Sequence, residues 1–218
     1  EPHTATKLTL DLGFVNAAGN TEVTTLSFTE ALSVKGGRWE FKDLGGVVYG
    51  RTGDSTTAEQ IKMDARIEVQ VVSVLHVFVG GIYERNRFAG FDRRLEEYAG
   101  VAIKVIDQPS DQLTVEGGSS VNQDLTTTNQ HVSFAALRAA ALYRHNFTKT
   151  AYVQQTVELI PNLSVAADLR LNSESALVAP VAGRAAIKVA YAVKYDKLPE
   201  PGFRKTDRIF TTALQIVF

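Results

Sequence analysis

The sequence predicts an all-β fold, a transmembrane antiparallel up-and-down β-barrel of about twelve strands. Three observations carry that prediction. Segment after segment alternates apolar and polar residues with a period of two. No apolar run reaches the roughly 18 residues that a membrane-spanning helix requires. The final stretch, TDRIFTTALQIVF, ends on an aromatic residue. In that stretch Phe210, Leu214, Ile216 and Phe218 share one parity, and Asp207, Thr211 and Gln215 share the other. Outer-membrane barrels commonly close on a strand of this kind, so Phe218 reads as the assembly signal presented to the barrel-assembly machinery.

Composition permits this fold and excludes others. Hydrophobic residues make up 44% of the 218, as expected where a polar lumen offsets an apolar belt. There is no cysteine, so disulfides and thiolate metal sites are excluded. Lysines and arginines are dispersed among acids, with a net charge of −1, and no basic stripe for nucleic acid exists. The chain opens with EPHTATK rather than a basic and apolar leader, and it reads as a mature form. Residues 1–218 are expected to form a single barrel domain with a short tail over 1–5.

Breaks at Gly, Pro, Asn and Asp clusters place the strands at 6–16, 21–35, 38–51, 58–72, 75–87, 91–105, 112–123, 132–147, 150–160, 164–179, 184–197 and 206–218. In the first, Leu8, Leu10, Leu12 and Phe14 alternate with Thr9, Asp11 and Gly13. In the third, parity slips around Asp43 to Gly46, which suggests a bulge. The fourth is the clearest. Ile61, Met63, Ala65, Ile67, Val69 and Val71 interleave with Lys62, Asp64, Arg66, Glu68 and Gln70, giving one apolar and one polar, mostly charged face on a strand but scattered charges on a helix. In the ninth, Val153, Val157 and Leu159 oppose Gln154, Thr156 and Glu158. In the tenth, Leu169 and Leu171 oppose Asp168, Arg170 and Asn172. In the eleventh, Ile187, Val189, Tyr191, Val193 and Tyr195 oppose Lys188, Lys194, Asp196 and small alanines.

The connections sort into two alternating sets. One set is tight, at 35–37, near Ser73, at 107–110, 148–149 and 180–183; the other is longer and more polar, at 16–20, 52–57, 88–92, 124–131, 161–162 and 198–205. Short periplasmic turns and longer outer loops are the expected asymmetry. Trp39, Phe41, Tyr143 and Phe218 then fall near the periplasmic ends, and Phe14, Tyr83 and Tyr195 near the outer ends, where aromatic rings prefer the interface.

FVNAAGNTEVTT, YERNRFAGFDRR, LRLNSESALVAP and YDKLPEPGFRKTDR stand in this order along the chain. With VIDQPSDQLTVEGGSS, they resemble the family of proteins described as salt-induced outer-membrane β-barrels of unknown function. The resemblance runs from Leu8 to Phe218 and implies an outer-membrane barrel, without catalytic residues to carry over.

Candidate chemistry is sparse. His145 and Asn146 have no obvious serine neighbour for a lipid hydrolase, and His3, His76 and His131 lack metal-ligand spacing. Glu84 and Glu96 resemble an acid–base pair, but Arg85, Arg87 and Arg94 nearby favour a salt-bridged rim. The paired glycines of GRWEFKDLGG and VFVGG lead into no helix, so they mark bends or close packing rather than a phosphate cradle. No cofactor, metal or catalytic residue is expected.

Function must therefore lie in the lumen or on the outer surfaces. Parity points Lys62, Asp64, Arg66, Glu68, Glu84, Arg94, Glu96, Glu116, Arg138, Glu158, Asp168, Arg170, Lys188 and Asp207 inward. The signs nearly balance, whereas a strongly selective pore carries rings of one sign. The expectation is a narrow, weakly selective channel for ions or small polar solutes in the bacterial outer membrane. The alternative is a non-transporting barrel that binds a protein partner or self-associates there.

Overall fold

Alternation of apolar and polar residues dictates strands with two unlike faces, and the chain closes those strands on themselves. The computed structural model describes residues 5–18, 23–52, 55–199 and 201–218. They form twelve strands: β1 Ala5–Ala18, β2 Val23–Gly36, β3 Trp39–Thr52, β4 Ser55–Gln70, β5 Leu75–Asn86, β6 Phe91–Asp107, β7 Asp111–Thr126, β8 His131–Asn146, β9 Tyr152–Pro161, β10 Leu169–Ala182, β11 Ala185–Asp196 and β12 Thr206–Val217. Each pairs antiparallel with its sequence neighbours, and β1 pairs with β12 to close the barrel. At the seam the Phe218 amide donates to the Leu8 carbonyl at 2.8 Å, and the Leu8 amide returns a bond at 3.3 Å. Closure leaves no unpaired edge, the condition a sheet must meet in hydrocarbon.

The faces are inverted relative to a soluble protein. On β4, Met63 and Ile67 are exposed on the outer wall, while Glu68 between Ile67 and Val69 is only 4% exposed in the lumen. Phe210 and Leu214 on β12 face out, and Gln215 faces in, buried. Lipid takes the place of a core for the outer set, while paired polar groups fill the inside.

Connections alternate between the two ends of the barrel, and the expected difference in length holds in part. At one end the described connections are 37–38, 71–74, 108–110, 147–151 and 183–184, none longer than five residues; at the other they are 87–90, 127–130, 162–168 and 197–199 with 201–205, and only 162–168 and the connection after β11 exceed that. The loops foreseen at 16–20 and 52–57 fall partly outside the described residues, as does the terminal tail. Gly37 makes the tightest turn possible by taking φ +61°.

Two expectations need correction. No bulge interrupts β3 at 43–46, because its register with β2 and β4 is continuous there; the shift lies at Gly50/Arg51. Asp43 therefore shares the outward parity of Phe41 and Val47, and Leu44 points inward. The tenth strand begins at Leu169, not at 164. Asn162 prevents the earlier start: its Oδ1 accepts from the Ser164 and Val165 amides at 2.8 and 3.1 Å, and its Nδ2 donates to Asp168 at 2.9 Å. That side chain winds 162–168 into a loop before pairing begins.

Candidate functional site: a charged lumen

The inward face begins with two aromatic rings that need glycines to lie flat. Phe78 on β5 and Tyr98 on β6 are buried and meet edge to face, with centroids 6.0 Å apart. A Cβ on Gly100 would lie 2.7 Å from the Phe78 ring, and one on Gly80 would lie 2.5 Å from Tyr98. The glycines of VGG and YAG are thus seats for these rings. On this platform lie guanidinium groups. Arg66 sits 3.7 Å over the Phe78 ring and Arg138 sits 4.5 Å over Tyr98.

Both arginines are held by carboxylates, Arg66 across the interior and Arg138 along its own side of the wall. Arg66 on β4 makes a bidentate contact at 3.0 and 2.8 Å with Glu116 on β7, three strands away, and its Nε lies 2.8 Å from Glu68. Arg138 on β8 reaches Glu158 at 2.6 Å and Glu96 at 3.6 Å. The Tyr98 hydroxyl donates to Asp64 at 2.6 Å. Bidentate, charge-assisted contacts are the strong class of hydrogen bond, and desolvated charges survive only when paired in this way. The result is a rigid layer partway along the lumen.

On the long-loop side of that layer lies a cavity of about 780 Å³. Asp124 on β7 takes Arg94 bidentately at 2.9 and 2.7 Å and accepts from Arg170 on β10 at 3.1 Å. Arg94 stacks on Phe91 and Arg170 on Phe134, at 4.1 and 4.9 Å. Nearest the mouth, Lys194 on β11 approaches Glu84 on β5 to 3.6 Å, although the two strands stand six places apart in a ring of twelve. That pair crosses the whole passage.

On the turn side a second network spans the barrel. Arg144 stacks 3.5 Å over Tyr152, whose hydroxyl reaches Gln215 at 3.5 Å. Gln215 donates to Asp11 at 2.9 Å, and Asp11 accepts from Lys188 at 2.9 Å. Glu68 collects Lys42 at 2.7 Å and His76 at 3.6 Å.

Of the residues assigned inward from sequence, Lys62, Arg66, Glu84, Arg94, Glu96, Glu116, Arg138, Glu158, Asp168, Arg170 and Asp207 line the cavity. Asp64, Glu68 and Lys188 do not; they are tied into the layers beside it. Sequence reasoning missed Asp124, which was placed in a loop, and the aromatic platforms Phe78, Tyr98, Phe91, Phe134 and Tyr152. Phe78 stands on the parity of His76 and Glu84, which was the available signal. Glu84 and Glu96 have separate cationic partners, as a structural rim requires. His145 faces outward with its Nδ1 2.8 Å from Asp111 and its ring against Phe147. Among the described residues no group of three or more His, Cys, Asp or Glu is arranged to hold a metal.

Among the described residues polar groups interrupt the outer wall at several places, such as Glu97 on β6, and two of these are hydrogen-bonded sets. Glu30 on β2 lies over Gly45, whose added Cβ would be 2.9 Å from its carboxyl, and it is in hydrogen-bond contact with Asp43. On the far side Gln155 donates to Ser173 at 3.0 Å and accepts from Ser175.

A closed transmembrane barrel with a polar, partly filled lumen defines a porin-like protein. The chain belongs to the family described as "Protein of unknown function, DUF481", which matches residues 10–218. It is similar to the uncharacterized protein YdiY of Escherichia coli (strain K12), at 25% identity over 206 residues, 94% of this chain and 80% of the relative. Among solved structures it resembles the NanC porin, with TM-score 0.63 and 8% identity over 95% of this chain and 98% of that one. The KdgM porin gives 0.56 and 10% over 96% and 99%. The translocator domain of the autotransporter NalP from Neisseria meningitidis gives 0.54 and 12% over 97% and 88%. These likenesses establish the fold alone.

Proposed function

We propose that the protein is a narrow, weakly selective channel for ions or small polar solutes across the bacterial outer membrane. One observation carries this reading: the cavity of about 780 Å³ is walled by interleaved acids and bases rather than by a ring of one sign. Selectivity needs a one-signed ring at the constriction, and here Arg66 with Glu116, and Lys194 with Glu84, put both signs across the passage. Long side chains from both walls narrow the bore that about twelve strands would otherwise leave. Planar-bilayer recording of purified protein tests the proposal. Small, discrete conductance steps with reversal potentials near zero in a salt gradient are expected, and a barrel that never conducts overturns it.

The second reading is a barrel that binds a partner or self-associates without transport. The carboxyl pair Glu30 and Asp43 on the lipid-facing wall favours it, because charged groups there are costly unless something pairs with them. In either case the chain is expected to reach its membrane through the barrel-assembly machinery, with Phe218 as the recognised end. Fractionation with outer membranes and heat-modifiable gel migration are the expected behaviour. Recovery of monomer in the soluble periplasm without detergent would contradict both readings.

A further inference from the structure

The inward charges balance in number but differ in how they are paired. Around the cavity on the long-loop side Glu84, Asp124, Glu158, Asp168, Asp196 and Asp207 stand among Lys62, Arg94, Arg138, Arg170, Lys194, Arg204 and Lys205, so acids are not in excess among these. At the turn-side mouth cations outnumber acids, even with Glu40, the register partner of Lys35, counted. Lys42, Lys104 and Lys188 each hold a carboxylate, on Glu68, Asp107 and Asp11 at 2.7, 3.6 and 2.9 Å. Lys7, Lys35 and Arg144 pair with no carboxylate among the described residues.

These three cations stand within two residues of the turn-side ends of β1, β2 and β8, on the inward parity of each strand. Lys7 and Arg144 come from walls five places apart in the ring, yet each lies within the other's field. Arg144 is held by neutral groups: its guanidinium rests on Tyr152, and its Nε donates to Asn146 at 2.8 Å. Neither partner cancels the charge. Like charges fixed across a narrow, low-dielectric mouth focus a positive potential and concentrate counter-ions.

We propose that the turn-side mouth, built on Lys7, Lys35 and Arg144, is a recruitment site for small anions, with no counterpart at the loop-side mouth, where the charges are mixed. This rests on the channel reading for its consequence. A lumen with its unpaired positive charge at one end conducts better when anions enter from that end. Current is therefore larger with the loop side positive.

The absence of cysteine allows the local potential to be read with single thiols. T9C places one on the inward face two residues from Lys7. V132C places one beside Asp124, its register partner at the other mouth. Each variant in detergent micelles is reacted with the sulfonatoethyl and trimethylammonioethyl methanethiosulfonates, which differ in charge sign. The anionic-to-cationic rate ratio at T9C should exceed that at V132C by about tenfold or more. Adding K7Q and R144Q to T9C should remove that excess. Equal ratios at the two positions, or an excess that survives K7Q and R144Q, overturn the proposal. A conducting barrel with equal ratios keeps the channel and rejects the anion site; a silent barrel with a tenfold ratio does the reverse. In bilayers, the rectification should vanish in the K7Q/R144Q variant.

Discussion

The two sides of the ring are built differently. From β4 to β8 the inward face carries Phe78, Tyr98 and Phe134, with Arg66, Arg138 and Arg170 laid over them. From β11 through β12 and β1 to β2 it carries chiefly small groups, with Ala186, Ala190, Ala213, Gly13 and Ser27 all buried. One side of the wall is thick and the other thin. The difference teaches where the narrowing comes from: ionic layers are anchored on the aromatic side and reach outward from it, while the side containing the β1–β12 seam supplies closure.

The largest effect should come from breaking the seam. Phe218→Asp, or removal of Phe218, takes away the residue whose backbone joins β12 to Leu8 and whose ring sits at the interface. Assembled, heat-modifiable barrel should fall to a small fraction of wild type on gels. Wild-type yield would reduce Phe218 to an interfacial anchor.

Next comes the outward face of the thick wall. Met63→Arg, near the middle of β4 on its exposed outward face, should cost roughly 2–4 kcal/mol in a detergent-unfolding series. Packing separates the two walls at a smaller scale. Gly100→Val drives side-chain atoms against the Phe78 ring and the Gly117 carbonyl, where a Cβ would already lie 2.7 and 2.4 Å away. It should cost about 1–3 kcal/mol, whereas Ala31→Val on the thin wall should stay within about 0.5 kcal/mol. Equal costs in urea titrations would erase the distinction between the walls. Glu68→Ala removes the shared partner of Lys42, Arg66 and His76. Its cost should be about 1–2 kcal/mol, because Arg66 keeps Glu116.

Much of the fold was legible because alternation is a direct imprint of a two-faced strand. IKMDARIEVQV allows one assignment, and β4 has the orientation its charges require. Asp43 defeated the same logic. An acid on the outward parity looks like a bulge, and only the neighbouring strand, with Glu30 seated over Gly45, explains how it stays in register. The early start assigned to the tenth strand, at 164, failed for a related reason. Leu163 and Val165 continue the alternation of Leu169 and Leu171, but a single Asn162 side chain captures the backbone first. In the lumen, parity assigns each charge to a face of its strand, yet it holds no information on which charges meet. Arg66 finds Glu116 and Lys194 finds Glu84 through the curvature of the closed ring, which no local pattern encodes. The aromatic platforms were hidden because a ring on the polar parity carries no charge to mark it.

The account makes the cross-lumen ion pairs the constriction of a conducting pathway, and Arg66 is their clearest member. Single-barrel recordings of wild type and Arg66→Ala in asymmetric potassium chloride test this most directly. Wild type should give a small conductance and a reversal potential near zero. Arg66→Ala should conduct more and shift toward cation preference, since the shortened side chain opens the passage and leaves Glu116 and Glu68 without its charge. Silence from both proteins would contradict the channel and leave a barrel that works through its outer surfaces.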